Sequence, residues 1–106
     1  MDSYSVLETV SGFEWDSGNS DKNWIKHKVS RLECEEVFFN EPFYIYDYKS
    51  HSQSENRYYL LGITNEKRSM FLVFTIRKDK IRIISARDIN KKERIIYEKL
   101  KKDTQV

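Results

Sequence analysis

Four strand-like runs, at 43–48, 58–64, 70–77 and 81–87, follow one another along the chain, and no other feature constrains its fold as much. Each is rich in β-branched or aromatic residues and each is bounded by turn chemistry. Residues 49–56 make a longer polar loop, 65–69 a tight one and 78–80 a hairpin, so successive strands are expected to be antiparallel neighbours. Alternation places Tyr44, Tyr46 and Tyr48 on one face of the first run and Phe43, Ile45 and Asp47 on the other. In the third run Met70, Leu72, Phe74 and Ile76 share a face. Phe71, Val73, Thr75 and Arg77 share the opposite one, which is apolar at one end and basic at the other.

Helical patterns flank these runs. Asn19 or Ser20 can cap a short helix that carries Trp24 and Ile25 and ends at His27. Ser30 and Glu33 form a capping box, which predicts a second helix over 31–39 burying Leu32 and some of Cys34, Val37, Phe38 and Phe39. Pro42 forces Glu41 out of the helical region and ends it. Upstream, Phe13 and Trp15 alternate with Glu14 and Asp16 as a short half-buried strand. Downstream, Asn90 and Glu93 make a further capping box for a basic helix whose apolar positions are Ile89, Ile96 and Leu100. The expected architecture is α+β, a twisted antiparallel sheet of four to five strands with two helices before it and one after. A chain of 106 residues suits one domain, read here as 13–102, after an arm at 1–12 and before a tail at 103–106.

The net charge of +2 hides an asymmetry. Residues 1–64 hold 6 basic against 11 acidic side chains, a balance of −5, whereas 77–102 hold 11 against 4, a balance of +7. A basic end attracts phosphates through its summed field, and an acidic end suits a basic partner. The single cysteine, Cys34, excludes an internal disulfide and a cysteine-based zinc cluster. Only 3 glycines occur, in no phosphate-cradling pattern, and no spacing of histidines or carboxylates suggests a metal, so no cofactor is expected. Without a leader pattern or a long apolar run, the chain reads as cytoplasmic, with no membrane partner.

Metal-free RNA cleavage needs a base for the 2′-hydroxyl, an acid for the leaving oxygen, and fixed positive charge on the phosphorane-like transition state. Arginine suits the last task, since its planar fork binds phosphate bidentately and stays charged. Arg57, Arg77, Arg82 and Arg87 all come from strands or strand ends, where a scaffold can aim them. His27, between Lys26 and Lys28, is an acid or base candidate, and equally a residue that hydrogen-bonds a helix end. Glu55 can serve as base or pair with Arg57. His51 falls in the polar loop and is expected to face solvent. Tyr44 and Tyr46 can stack bases or simply pack.

In order along the chain, Phe13-Glu14-Trp15-Asp16, Asn23, Lys26-His27, Val29-Ser30, Glu55-x-Arg57, Gly62, the run Arg82-Ile83-Ile84-Ser85-Ala86-Arg87, Glu93-Arg94 and Tyr97 resemble the BrnT toxins. These are the ribonuclease halves of bacterial type II toxin and antitoxin pairs. The resemblance implies a RelE-like fold, metal-independent RNA endonuclease activity that blocks translation, and neutralisation by a BrnA-type antitoxin in a dimer or heterotetramer. DNA would be contacted only through the antitoxin. Carried over residue by residue, it implies Arg77, Arg82, Arg87, His27, Glu55 and Tyr97 as catalytic or positioning residues, and Lys26, Arg57, Lys91, Lys92 and Arg94 as RNA contacts. The chain departs from the family pattern at Asn19, where lysine is usual, at Lys28, usually glycine, and at Asn40, often aspartate. Two competing classes are a basic module that binds nucleic acid without cleaving it and a protein that acts only through its partner.

Overall fold

The computed structural model describes residues 3–49 and 55–104. A 3-10 turn at Ser3–Leu7 leads to β1 (Gly12–Glu14), α1 (Ser17–His27), α2 (Arg31–Glu36), β2 (Tyr44–Asp47), β3 (Tyr58–Ile63), β4 (Ser69–Arg77), β5 (Lys80–Asp88) and α3 (Lys91–Thr104). Among the described residues the fold is α+β, with three helices and one sheet in the order β1-β5-β4-β3-β2. From β2 to β5 every pairing is antiparallel, as the short connections require. The sheet is nevertheless mixed, because β1 runs parallel to β5, with Gly12 opposite Lys80 and Glu14 opposite Arg82. A parallel neighbour needs a crossover, and here α1, α2 and three strands lie between the two in sequence.

The alternation expected for β2 and β4 divides the core into two layers. On one face Ile45, Leu60, Met70, Leu72, Phe74, Ile81 and Ile83 pack with Val29, Cys34, Val37 and Phe38 from α2 and its flanks. On the other, Leu61, Phe71 and Val73 pack with Ile89 and Tyr97, which fasten α3. In the stretch expected as a leading arm, Val6, Leu7 and Val10 lie against the first layer and Tyr4 meets Phe43 edge-on at 4.7 Å.

Helix α2 carries both halves of its capping box, Ser30 Oγ accepting from Glu33 N at 3.1 Å and Glu33 Oε1 from Ser30 N at 3.0 Å. It stops at Glu36 rather than at 39. Cys34, Val37 and Phe38 turn inward and Phe39 outward, while the helix phase turns Leu32 outward too, contrary to the expectation that it is buried. The same logic corrects α3. Tyr97 is fully buried, with its hydroxyl donating to the Pro42 carbonyl at 3.0 Å, while its neighbour Ile96 is exposed. Helix α1 begins at Ser17, ahead of the expected caps, and lies along β5, where Asn23 Oδ1 accepts from Ala86 N at 3.2 Å. His51 lies outside the described residues.

Two of the departures from the family pattern find physical readings. Lys28 has φ 55°, a left-handed conformation in which glycine carries no Cβ penalty. Asn40 Nδ2 donates to the Ile63 carbonyl at 3.0 Å and to Asn65 Oδ1 at 2.9 Å, two bonds that an ionised aspartate has no proton to make. The Asn19 side chain lies outside the described ones.

Candidate functional site

Arg82 and Arg87 are five residues apart, so a regular strand would send them to opposite faces. A bulge prevents that. Val73 is opposite Ser85 but Phe74 is opposite Ile83, so Ile84 is an extra residue in β5 and the alternation changes phase there. Thr75 therefore faces Arg82 while Phe71 faces Arg87, and both arginines join Arg77 on the face that also carries α3.

Each guanidinium is held by carboxylate. Arg77 grips Glu55 with two hydrogen bonds, 2.9 and 3.1 Å. Arg82 reaches Glu14 at 3.0 Å and also Asp16. Arg87 meets Glu93 with two bonds of 2.8 Å and lies 4.3 Å from the centroid of the Phe71 ring. The Arg77 hydrogen bond, aided by the charges of Arg77, Arg57 and Arg82, holds the Glu55 carboxyl below its ordinary range. Burial resists ionisation of Glu93, but its bonds from Arg87 and the Asn90 amide outweigh this and lower its pKa. Both are therefore carboxylates at neutral pH. Thr75 Oγ1 donates to the Asn56 carbonyl at 2.7 Å, fixing the chain between Glu55 and Arg57 against β4.

Beside the arginines runs a row of rings. Tyr46 and Tyr59, cross-strand partners, have centroids 5.4 Å apart, and Tyr59 stacks on Phe71 at 5.4 Å with 20° between planes. Tyr48 stands edge-on to both Tyr59 and Phe71, at 5.6 and 6.2 Å. A line of π groups, Arg87, Phe71, Tyr59 and Tyr46, thus crosses from β5 to β2, stacked at Phe71–Tyr59 and tilted at Tyr59–Tyr46.

The other expected residues fall outside this row. His27 belongs with a second cluster built by Arg68, which the sequence reading did not single out. Arg68 donates to Asp88 at 2.6 and 3.1 Å, to Glu33 at 3.0 Å, and to the His27 and Lys28 carbonyls at 3.0 and 2.8 Å. It thereby satisfies the end of α1 and ties it to α2 and β5. Hydrogen bonds from Arg68 lower the Asp88 pKa, with the charges of Arg68, His27 and Arg94 adding to the effect. Burial pushes the Tyr97 hydroxyl up to about 12, so it is a proton donor to Pro42 at neutral pH and a structural anchor of α3. Lys26 is exposed on α1, and Lys91, Lys92 and Arg94 are exposed on the first turns of α3. Arg57 is half-buried just ahead of β3, close enough to Glu55 to act on its charge. Phe71, Tyr59 and Glu93 are the further residues that build the face. For Phe71 and Glu93 the signal in the sequence was the alternation of β4 and the capping box, read there only as structure, and Tyr59 fell within the run 58–64 with no face assigned to it. Among the described residues no group of three histidine, cysteine or acidic side chains is placed to hold a metal ion, and no helix is long and apolar enough to cross a membrane.

Fold and site together define a small α+β domain with ion-paired arginines and a row of aromatic rings on one sheet face. The family described as ribonuclease toxin, BrnT, of type II toxin-antitoxin system matches over residues 15–93, from Trp15 within the Phe13-Glu14-Trp15-Asp16 motif to Glu93 in the first turn of α3. The chain belongs to that family. No curated relative matches it.

Proposed function

We propose that this ribonuclease toxin is a metal-independent RNA endonuclease whose working surface is the sheet face carrying Arg77, Arg82 and Arg87. One observation supports it above the others: the bulge at Ile84, which sets Arg82 and Arg87 on the same side. In this reading the 2′-hydroxyl attacks the adjacent phosphorus and the bond to the 5′-oxygen breaks, leaving a 2′,3′-cyclic phosphate and a free 5′-hydroxyl. Glu55 takes the proton of the attacking hydroxyl, and the departing 5′-oxygen takes its proton from solvent water. Arg77, which holds Glu55, joins Arg82 and Arg87 in stabilising the charge that develops on phosphorus. Lys91, Lys92 and Arg94 extend the field along α3, and Lys26 and Arg57 add to it from α1 and the start of β3. The His27 carbonyl, accepting from Arg68, ties down the end of α1.

Cleavage of messenger RNA in the cytoplasm would stop translation, and a BrnA-like antitoxin would neutralise it in a dimer or heterotetramer, with DNA reached only through that partner. The test is to incubate the purified chain with a defined RNA in EDTA and to analyse the ends of the products. Products with 2′,3′-cyclic phosphate and 5′-hydroxyl ends are expected. Products with 5′-phosphate ends, or cleavage abolished by EDTA, would overturn the mechanism. RNA shifted in mobility yet intact would favour the binding module.

A further inference from the structure

The stacked rings border a cleft of about 310 Å³ between the sheet and the first turns of α3. Its walls include Tyr48, Tyr59, Phe71 and Ile96, and its rim carries Arg87 and Lys92. The volume is at the lower end of the range for small-molecule sites. The walls present apolar surface, and Tyr48 meets the Tyr59 and Phe71 planes at 73° and 77°, which makes a corner that suits a flat ring. The rim is cationic. Arg87 is matched by Glu93, but Lys92 makes no ion pair among the described residues, so a positive charge is left over at the mouth.

We propose that this cleft is a nucleobase subsite: it takes one unpaired base of the RNA against the tyrosine and phenylalanine rings and holds the phosphate of that nucleotide at Lys92 and Arg87. This rests on the reading of the arginine face as an RNA-cleaving surface and adds where the substrate is gripped. Stacking on aromatic side chains needs a single-stranded base, so the subsite would restrict the enzyme to unpaired segments. A docked protein segment would use the apolar walls but has no need of the unmatched cation, which is why the cleft favours a nucleotide.

The probe is a nucleoside 5′-monophosphate, which has no phosphodiester to cleave, so the test does not depend on catalysis. AMP, GMP, CMP and UMP are each titrated against the full chain by NMR, with ribose 5-phosphate as the baseless control. At least one monophosphate should bind about tenfold or more tighter than ribose 5-phosphate, corresponding to about 1.4 kcal/mol, and should shift the ring protons of Tyr48, Tyr59 and Phe71. Ile96→Trp, made at an exposed helix position to fill the cleft, should abolish that difference. Lys92→Ala, at an exposed lysine whose loss should leave the fold intact, should weaken both ligands severalfold. Equal binding of ribose 5-phosphate and the monophosphates, or ring shifts that survive Ile96→Trp, would overturn the subsite. So would an Ile96→Trp chain that binds nucleotides normally but no longer captures its co-expressed antitoxin, since that would assign the cleft to protein. Cleavage failing while nucleotides bind would sink the catalytic reading alone.

Discussion

Glu93 serves two partners, and the two uses can be separated by mutation. Its Oε1 accepts from Asn90 N at 3.0 Å while its own amide donates to Asn90 Oδ1 at 2.8 Å, closing the capping box of α3. The same carboxylate holds both terminal nitrogens of Arg87 at 2.8 Å. Loss of the reciprocal cap costs roughly 1 kcal/mol. The ion pair has 34% of the Arg87 and 17% of the Glu93 side chain exposed, so solvent screening holds it near the upper surface value, about 1 kcal/mol. Glu93→Ala forfeits both, about 2 kcal/mol in all, or about 10 °C in melting temperature for a domain of this size. Glu93→Gln keeps an acceptor for Asn90 but gives up the charge and one of the two bonds from Arg87, so it should melt about 5 °C below wild type. Thermal unfolding followed by circular dichroism at pH 7 measures both, and a double-mutant cycle with Arg87→Ala should return a coupling of about 1 kcal/mol. If the glutamine and alanine variants melted together, or the cycle gave no coupling, the dual role would be refuted.

Removing Arg68 leaves Asp88, Glu33 and two helix-end carbonyls without their shared donor, and with these side chains partly exposed Arg68→Ala should cost about 2 kcal/mol in urea unfolding, and Arg68→Lys should recover less than half, because an ammonium lacks the fork. Lys28→Gly relieves the left-handed backbone at φ 55° but gives up the ammonium 5.4 Å from the Trp24 ring, for a net gain of roughly 0.5 kcal/mol; equal or lower stability would count against strain at that joint. Glu33, Asp88 and Glu93 all have lowered pKa values in the folded chain. Their contribution is therefore full above the unfolded values of 4.5 for glutamate and 3.8 for aspartate, and is lost as pH falls through the lower folded values. The urea midpoint should hold between pH 7 and 5 and drop below that, less steeply in Arg68→Ala; a midpoint that rises on acidification would contradict the sign.

The strands were legible because their alternation and turn residues agree, and Phe71 and Val73 fell on one face with Arg77 as the period required. Two features were not. The parallel pairing of β1 with β5 joins residues nearly seventy positions apart, a tertiary choice that three residues of β1 cannot encode by period. The bulge at Ile84 is equally silent, since Ile83-Ile84 reads as an unbroken β-branched run, yet it decides which arginines share a face. His27 and Glu55 were grouped by chemical type, and only the fold sends one to Arg68 and the other to Arg77. Arg68 itself lay in an expected tight turn, where no periodicity marks a buttress. Leu32 shows the limit of reading hydrophobicity alone, as the helix phase turns it outward.

The central claim is that guanidinium groups brought to one face by a bulged strand cleave RNA, and the most direct test compares rates on a defined RNA in EDTA for wild type, Arg82→Ala, Arg87→Ala and the exposed control Lys22→Ala. Loss of one preorganised transition-state contact typically costs on the order of 10²- to 10³-fold. Both arginine variants should therefore fall by about a hundredfold or more while remaining folded, with the lysine variant within about threefold of wild type. Cleavage by Arg82→Ala and Arg87→Ala at the wild-type rate would contradict the account.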